Sequence, residues 1–413
     1  MEYLPDCVLI SIFGLLDLQS QLNVARVHFR FYAIMPLVWG SNVHLSLFEL
    51  DISSADLRLC LCIIRRTLQV LRFNMISREN FDILTSYVYP NAHDFRFSTT
   101  SFRLNDSDIL MIIKAFPQLR TFSPIGQLTG KYLADIPHLE NLNANHCSKF
   151  QVSSLVHIMQ TRQLKALFLD IPFWDIDILL VKLPTAGMQH LEVLLCNETE
   201  FFTWFMNNLK HLKRLKQLSV LGMCCPKTQL ELAGKLRAEG RHSLKRLEVQ
   251  YACDVYFHGE RIQLDVETFV MKYVNDLSAK MGRISHPFRH SKRLLFYSCC
   301  IKDADSFGRF LQLCQHVEII EFEDCRFGFQ CYTFSAPRIA KHRATILQLY
   351  LHGSRFVRNN EDVAPMAWSV EGEDRRFKLH QTKSKINHIA HNKMLFTSFP
   401  VKYYHCFDFN DLP

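Results

Sequence analysis

Apolar positions along the chain follow two different periods. Over the first forty residues the spacing is helical, with Val8, Ile12 and Leu15 or Leu16 in line and Leu9 and Phe13 beside them. Pro5 in Leu4-Pro5-Asp6 suits the first turn of a helix, where its missing N–H costs nothing. A second helix is predicted from about Gln19 to Phe31 on Leu22, Ala25 and Phe29, and Pro36 followed by Val38-Trp39 closes the unit. Apolar groups surround much of the first helix, and a segment of about 40 residues is marginal as a domain of its own. This stretch therefore needs a surface to pack on.

From Ser41 to about Arg66 the spacing stays helix-like, with Leu57, Leu61 and Ile64 among the apolar positions. Beyond it the period shortens to that of strands. A phrase apolar-x-x-apolar-x-apolar recurs, as in Leu68-Gln-Val-Leu71-Arg-Phe73 and Leu164-Lys-Ala-Leu167-Phe-Leu169. Its second apolar position falls at residues 71, 95, 122, 142, 167, 194, 218, 247, 294, 320 and 349. Successive copies lie 20–29 residues apart, save for 47 between Leu247 and Leu294, which implies an insertion or an unreadable copy there. Helical spacing returns between the phrases, for instance at Asp108–Ile113 after Asn105, at Ser153–Met159 and at Asp303–Leu313. The longest such stretch, Val266 to Met281, is expected to fill the wide interval. Each unit thus reads as strand, turn, helix and return, and stacked copies share one core.

At these residues the chain resembles known families. The order Leu4-Pro5, Val8-Leu9, Ile12-Phe13, Leu16, Asp17-Leu18, Leu22, Val27, Phe31 and Val38-Trp39 resembles an F-box over residues 2 to about 45. It departs where that family has Val-Cys-x-x-Trp, since Val27-His28-Phe29-Arg30-Phe31 stands there, with Phe31 keeping an aromatic. The later phrases resemble cysteine-containing leucine-rich repeats, and Cys147, Cys299 and Cys325 each follow their repeat position by five residues. Buried there, the thiols act as small apolar groups in the turn after the strand.

The resemblance implies an α/β fold. A helical F-box (1–45) and a helical linker (46–66) precede a horseshoe solenoid of about 11–12 degenerate repeats (67–355), with parallel strands concave and helices convex. A C-terminal cap and tail (356–413) follow, where the pattern fades after Arg355. It further implies a non-catalytic subunit of an SCF-type cullin–RING ubiquitin ligase, which docks the Skp-family adaptor and presents a protein substrate. Leu4, Pro5, Val8, Ile12, Phe13, Leu15, Leu16 and Leu22 would then supply the adaptor contact. The competing reading is an interaction scaffold without a ubiquitin role, whose first helices only cap the repeats.

Composition narrows the alternatives. Hydrophobic residues make up 48% of the chain and charged residues 21%, which suits a globular protein and excludes disorder as the main state. The net charge of +8 is spread along the chain rather than gathered in a block, so no nucleic-acid or membrane partner is expected. Glu2 and Asp6 stand where a signal peptide needs basic residues, and the apolar run Cys7–Leu16 is too short to span a bilayer. The 14 cysteines therefore read as reduced thiols of a cytoplasmic or nuclear protein.

No chemical motif survives inspection. Cys60-x-Cys62, Cys224-Cys225 and Cys299-Cys300 lack the spacing of a zinc site, and no Glu stands between His286 and His290 or His388 and His391. Gly126-Gln-Leu-Thr-Gly130-Lys131-Tyr132 is one residue short of a phosphate loop and has Tyr where Ser or Thr should be, so its glycines read as turn residues. No catalytic group, metal or cofactor is expected.

The best binding face is the one opposite the helices. Side chains alternate along a strand, so the residue between the two buried positions points the other way. Those residues are Arg72, Arg96, Ser123, Asn143, Phe168, Leu195, Ser219, Glu248, Leu295, Glu321 and Tyr350. Phe168, Leu195 and Leu295 are expected to stand exposed there, as apolar groups do at protein-binding sites.

Overall fold

The structure, a computed structural model, describes residues 3–39, 44–48, 52–99, 102–169, 185–197, 200–221, 244–250, 266–274, 277, 291–358 and 361–382. They divide into two compact units, one ending at Ala166 and one beginning at Leu167. Both are mixed α/β, built on parallel strands.

The first unit opens with three helices: α1 (Asp6–Gly14), α2 (Leu18–Val27) and α3 (Phe29–Trp39). The second predicted helix is in fact two. His28 takes an extended conformation (φ −153°, ψ 141°), which breaks the chain between α2 and α3. Pro36 lies within α3, which ends at Trp39 and so closes the unit at the expected Val38-Trp39. Asp17 caps α2 by accepting a bond from the Ser20 N–H at 2.8 Å.

Strand β1 (His44–Phe48) follows, then α4 (Ser54–Ile64), so the expected helical linker is a strand followed by a helix. Next come β2 (Val70–Ile76), α5 (Arg78–Thr85), β3 (Asp94–Thr99), α6 (Asp106–Ala115) and β4 (Thr121–Ser123). The short β5 (Ile125–Gly126) is followed by β6 (Asn141–Asn143), β7 (His146–Cys147) and α7 (Val152–Thr161). In this unit the sheet order is β1-β2-β3-β4-β6. The repeat phrase sets the register, because Leu45, Leu71, Phe95, Phe122 and Leu142 lie side by side on successive strands. Phe95 and Phe97 turn toward the helices, where Phe95 stacks on Phe116 at 4.5 Å and Phe97 meets Phe81 at 6.0 Å. The helix side is thus the core.

Strand β8 (Ala166–Leu169) lies at the division between the units. The second unit carries β9 (Val193–Asn197), β10 (Gln217–Leu221), β11 (Arg246–Gln250), β12 (Thr268–Lys272) and β13 (Arg293–Tyr297). Short β14 (Cys300–Ile301) precedes β15 (Ile319–Glu323), β16 (Arg326–Phe327) and β17 (Cys331–Ser335). The last strands are β18 (Leu347–His352), β19 (Arg355–Arg358), β20 (Glu361–Pro365), β21 (Ala367–Glu371) and β22 (Phe377–Thr382). The main sheet runs β9-β10-β11-β12-β13-β15-β18-β22. Leu194, Leu218, Leu247, Phe269, Leu294, Ile320, Leu349 and Leu379 form its continuous register row.

Two corrections follow. Residues 268–272 are a strand rather than part of a helix, so the wide interval holds a further copy centred on Phe269. The pattern also continues past Arg355, since β22 pairs with β18. The expected helical turn at Thr228–Leu236 and the tail beyond residue 382 lie outside the described residues.

The turn after each strand of the second unit has its own regularity. Tyr273, Ser298 and Asp324 all have positive φ (57°, 50° and 50°), as does Gly353 (58°), and each directly follows its strand. Their N–H groups form a ladder: Tyr273 donates to the Tyr297 carbonyl, Ser298 to that of Glu323 and Asp324 to that of His352, all at 2.9 Å. The thiols predicted for these turns are buried. Cys299 leans on the Met271 carbonyl at 3.7 Å and Cys325 on that of Phe296 at 3.4 Å. Cys147 does the same in the first unit, with the Pro124 carbonyl at 3.6 Å.

Candidate functional site

Two places carry the sequence-predicted residues, one in each unit. In the first, α1 to α3 fold around a small core of Leu9, Phe13, Leu22, Ala25, Phe31, Ile34, Met35 and Trp39. The rings of Phe13 and Phe31 pack edge to face with their centres 5.3 Å apart. A buried amide ties the three helices together: Gln21 donates from Nε2 to the carbonyls of Phe13 (2.9 Å) and Leu16 (3.0 Å), and accepts from the Trp39 indole. The start of α1 is braced from α3, because Arg30 donates to Asp6 Oδ1 through Nε (3.0 Å) and to the Leu4 carbonyl through Nη2 (2.6 Å).

The eight predicted contact residues separate accordingly. Phe13 and Leu22 are buried in the helical core and present nothing outward, which corrects their placement at the surface. Leu4, Ile12 and Leu16 are half-buried, while Pro5, Val8 and Leu15 are exposed. Pro5, Val8, Ile12 and Leu15 recur every three or four residues, so they line one outer ridge of α1. Leu15 is 88% exposed. Further exposed apolar groups were not foreseen: Phe29, Tyr32 and Leu37 stand exposed on α3, and Phe29 is 81% exposed. Its signal lay in the sequence, since Phe29 precedes the buried Phe31 by two positions and two helical positions cannot share a face.

The second place is the sheet face turned away from the helices. In the second unit Phe296 and Phe322 pack under the helix Ala304–Leu313, with Phe296–Phe310 at 5.7 Å and Phe307–Phe322 at 5.4 Å. Leu295 and Glu321 therefore point to the opposite, far face. The predicted residues do come together there, as Leu195, Ser219, Glu248, Leu295, Glu321 and Tyr350 share one register row, with Val270 and His380 added.

Their exposure is not as expected. Phe168 (2%), Leu195 (0%) and Leu295 (3%) are buried, and so are Ser219, Glu248 and Glu321. The alternation rule gave their direction correctly, but the far face here is covered. Only Tyr350 in this set is half-exposed. In the first unit Arg72 and Asn143 are half-exposed, whereas Arg96 is buried with its guanidinium on Asp94, at 3.0 and 2.7 Å.

The buried row is strongly polar. Glu248 holds Lys272 Nζ at 2.9 Å and Arg246 Nη2 at 3.4 Å, and Lys272 lies 5.4 Å from the centre of the Tyr297 ring. His352 Nε2 stands 3.5 Å from Glu321 Oε1, and Tyr350 stacks on His380 at 4.5 Å. Burial, with the Glu321 and Glu323 carboxylates adding to it, pushes the Tyr297 hydroxyl well above the usual phenol range. Lys272, Tyr297 and Glu323 were not read as site residues, whereas Glu321 was. These three occupy the last position of their strands, which the repeat phrase does not score.

Among the described residues no group of three His, Cys, Asp or Glu is placed to hold a metal ion. Cys60 is buried and Cys62 exposed, so that pair does not converge. Cys224-Cys225 and the two His pairs lie outside the described residues. Gly126 belongs to β5 rather than to a phosphate loop: a Cβ there would collide with the Leu104 backbone. No helix among the described residues is long and apolar enough to cross a membrane. No protein-family model matches the chain, and no curated protein matches it either.

Proposed function

We propose that this chain is the substrate-receptor subunit of an SCF-type ubiquitin ligase, with an F-box at its amino terminus followed by a leucine-rich-repeat horseshoe. The observation that carries the proposal is the outer apolar ridge of α1, Pro5, Val8, Ile12 and Leu15, kept outward on a helical unit that has its own core. A self-contained unit with an outward apolar ridge gains by burying it on another chain, at about 25 cal/mol per Å² removed from water. The exposed Phe29, Tyr32 and Leu37 of α3 add apolar surface to the same helical unit. Phe13 and Leu22 serve from beneath, holding α1 against α2 and α3.

In this role the chain does no bond chemistry. It holds a substrate close to a ubiquitin-conjugating partner and raises the effective concentration of the substrate's lysines. The substrate surface is not drawn from Phe168, Leu195 and Leu295, which are covered. The half-exposed Arg72, Asn143 and Tyr350 are the predicted far-face residues still open to a partner.

Val8→Asp/Leu15→Asp tests the proposal in the full-length chain. Both side chains are exposed, so the fold should be kept while co-purification with a Skp-family adaptor and cullin falls to background. Retention of both partners at the wild-type level by the folded variant would exclude the assignment.

A further inference from the structure

The apolar row that runs through the second unit stops at a strand with one bare edge. Strand β22 pairs with β18 in unbroken register, and among the described residues nothing pairs with its other edge. Leu379 shows the consequence. Leu294, Ile320 and Leu349 in the same row are each 0% exposed, whereas Leu379 is only half-buried, with a described neighbour on one side alone. A bare edge offers its N–H and C=O groups to any extended segment, and natural edges are blunted by shortness, bulges, proline or charge. β22 is six residues long and has neither bulge nor proline, with Lys378 its one charged side chain.

The amino-acid sequence beyond β22 keeps the spacing of the earlier units. Residues 383–413 lie outside the described residues, but Ile386, Ile389, Ala390 and Met394 follow one another at helical spacing. The strand phrase comes next and fits in two ways, as Val401-Lys-Tyr-Tyr404-His-Cys406 and as Tyr404-His-Cys-Phe407-Asp-Phe409. Its second apolar position then falls 25 or 28 residues beyond Leu379, within the 20–29 of the earlier copies. A fit on Phe399 is set aside, because Pro400 would stand inside the strand. Residues 383–400 exceed the length of about a dozen that a parallel crossover needs.

We propose that residues 401–409 dock in parallel on the open edge of β22 as the next strand of this sheet, with Tyr404 or Phe407 beside Leu379. The occupant of that edge is then the chain's own tail rather than a second copy or a foreign peptide. Tethering favours it, since a segment on a short linker is present at an effective concentration of about millimolar. The proposal does not depend on the adaptor role of α1, and its test reads neither adaptor nor ubiquitin.

Cys406 is a native reporter for the test. With Tyr404 beside Leu379 it lies next to Gln381, and with Phe407 there it lies next to Lys378. Both of those positions are exposed, so Gln381→Cys and Lys378→Cys, each made in the full-length chain, should keep the fold. Strands about 4.8 Å apart bring paired thiols within disulfide range. After mild oxidation with diamide, peptide mapping without reduction should find Cys406 joined to the introduced cysteine in one of the two variants, within a single chain. No such link in either variant would overturn the proposal, and so would a link from Cys406 to a cysteine of the first unit. A covalent dimer through the introduced cysteine would overturn it by giving the edge to a second copy. Tyr404→Asp/Phe407→Asp supplies an independent measurement: amide hydrogen exchange in β22 should quicken about tenfold while β9 to β13 keep their rates. Exchange in β22 at the wild-type rate would also overturn the proposal.

Discussion

Trp39 donates its indole N–H to Oε1 of Gln21 at 2.6 Å, across the middle of the three-helix unit. The same amide closes two carbonyls at the end of α1, so one residue satisfies three buried polar groups on two other elements. Gln21→Ala should therefore cost about 3 kcal/mol, because the groups it leaves behind stay buried without partners. Chemical denaturation followed by tryptophan fluorescence measures this directly. Trp39→Phe, which removes one bond and retains an aromatic ring, should cost less.

The Glu248–Lys272 pair is buried on both sides, and removing Lys272 takes away the shorter of the two cation contacts of Glu248, 2.9 Å against 3.4 Å to Arg246. Lys272→Met alone should destabilise the protein by about 3 kcal/mol, while Glu248→Gln/Lys272→Met recovers much of that loss. A double-mutant cycle in urea gives the coupling energy. Additive single effects would mean that the two charges are screened from each other.

The left-handed residues after the strands carry conformational strain wherever they are not glycine. Ser298→Gly should raise stability by up to about 1 kcal/mol, and Gly353→Ala should lower it by a similar amount. The two substitutions act at the same place in two copies of the repeat, so opposite signs in one melting experiment would tie both effects to backbone conformation.

Acid should weaken the protein at its caps. The backbone N–H of Ser20 and then its hydroxyl hold the Asp17 carboxyl below the usual aspartate value, and the Ser306 hydroxyl and then its backbone N–H hold Asp303 down likewise. The Arg376 guanidinium draws Asp374 down to about 2. A carboxyl with a depressed folded value contributes stability above its unfolded value, near 4, and loses it as pH falls through the folded one. Stability should thus be flat from neutral pH to about 5 and fall between about 4 and 2. Asp17→Asn, which keeps an oxygen acceptor, should flatten part of that slope in acid titrations followed by circular dichroism.

The sequence carried the parallel strands and their register because one spacing, apolar at the first, fourth and sixth positions, repeats with little change. Strand β12 went unread although Val266, Phe269 and Met271 fit the phrase, since the apolar run around them also fits a helix. Strand β22 was hidden by polar residues at the flanking positions, Arg376 and Gln381. At the candidate sites, local rules gave the direction of each side chain but not what lies over it. Leu195 and Leu295 point where alternation says, and are buried nonetheless. Phe13 and Leu15 are two residues apart on one helix and have opposite fates, which only the placement of α2 and α3 decides.

The thiols in the turns have a practical consequence. Burial raises the thiols of Cys147 and Cys325 above the ordinary range, and neither has a route to a reagent in the folded chain, whereas Cys7, Cys62 and Cys331 are exposed. Among the described cysteines, alkylation should therefore run in two phases: fast labelling at Cys7, Cys62 and Cys331, and slow labelling of the buried thiols, gated by opening of the fold. Cys147 belongs to the first unit and Cys325 to the second, so mass spectrometry of the two peptides would time the opening of each unit separately. The chain carries a built-in clock for its own unfolding, one hand in each half.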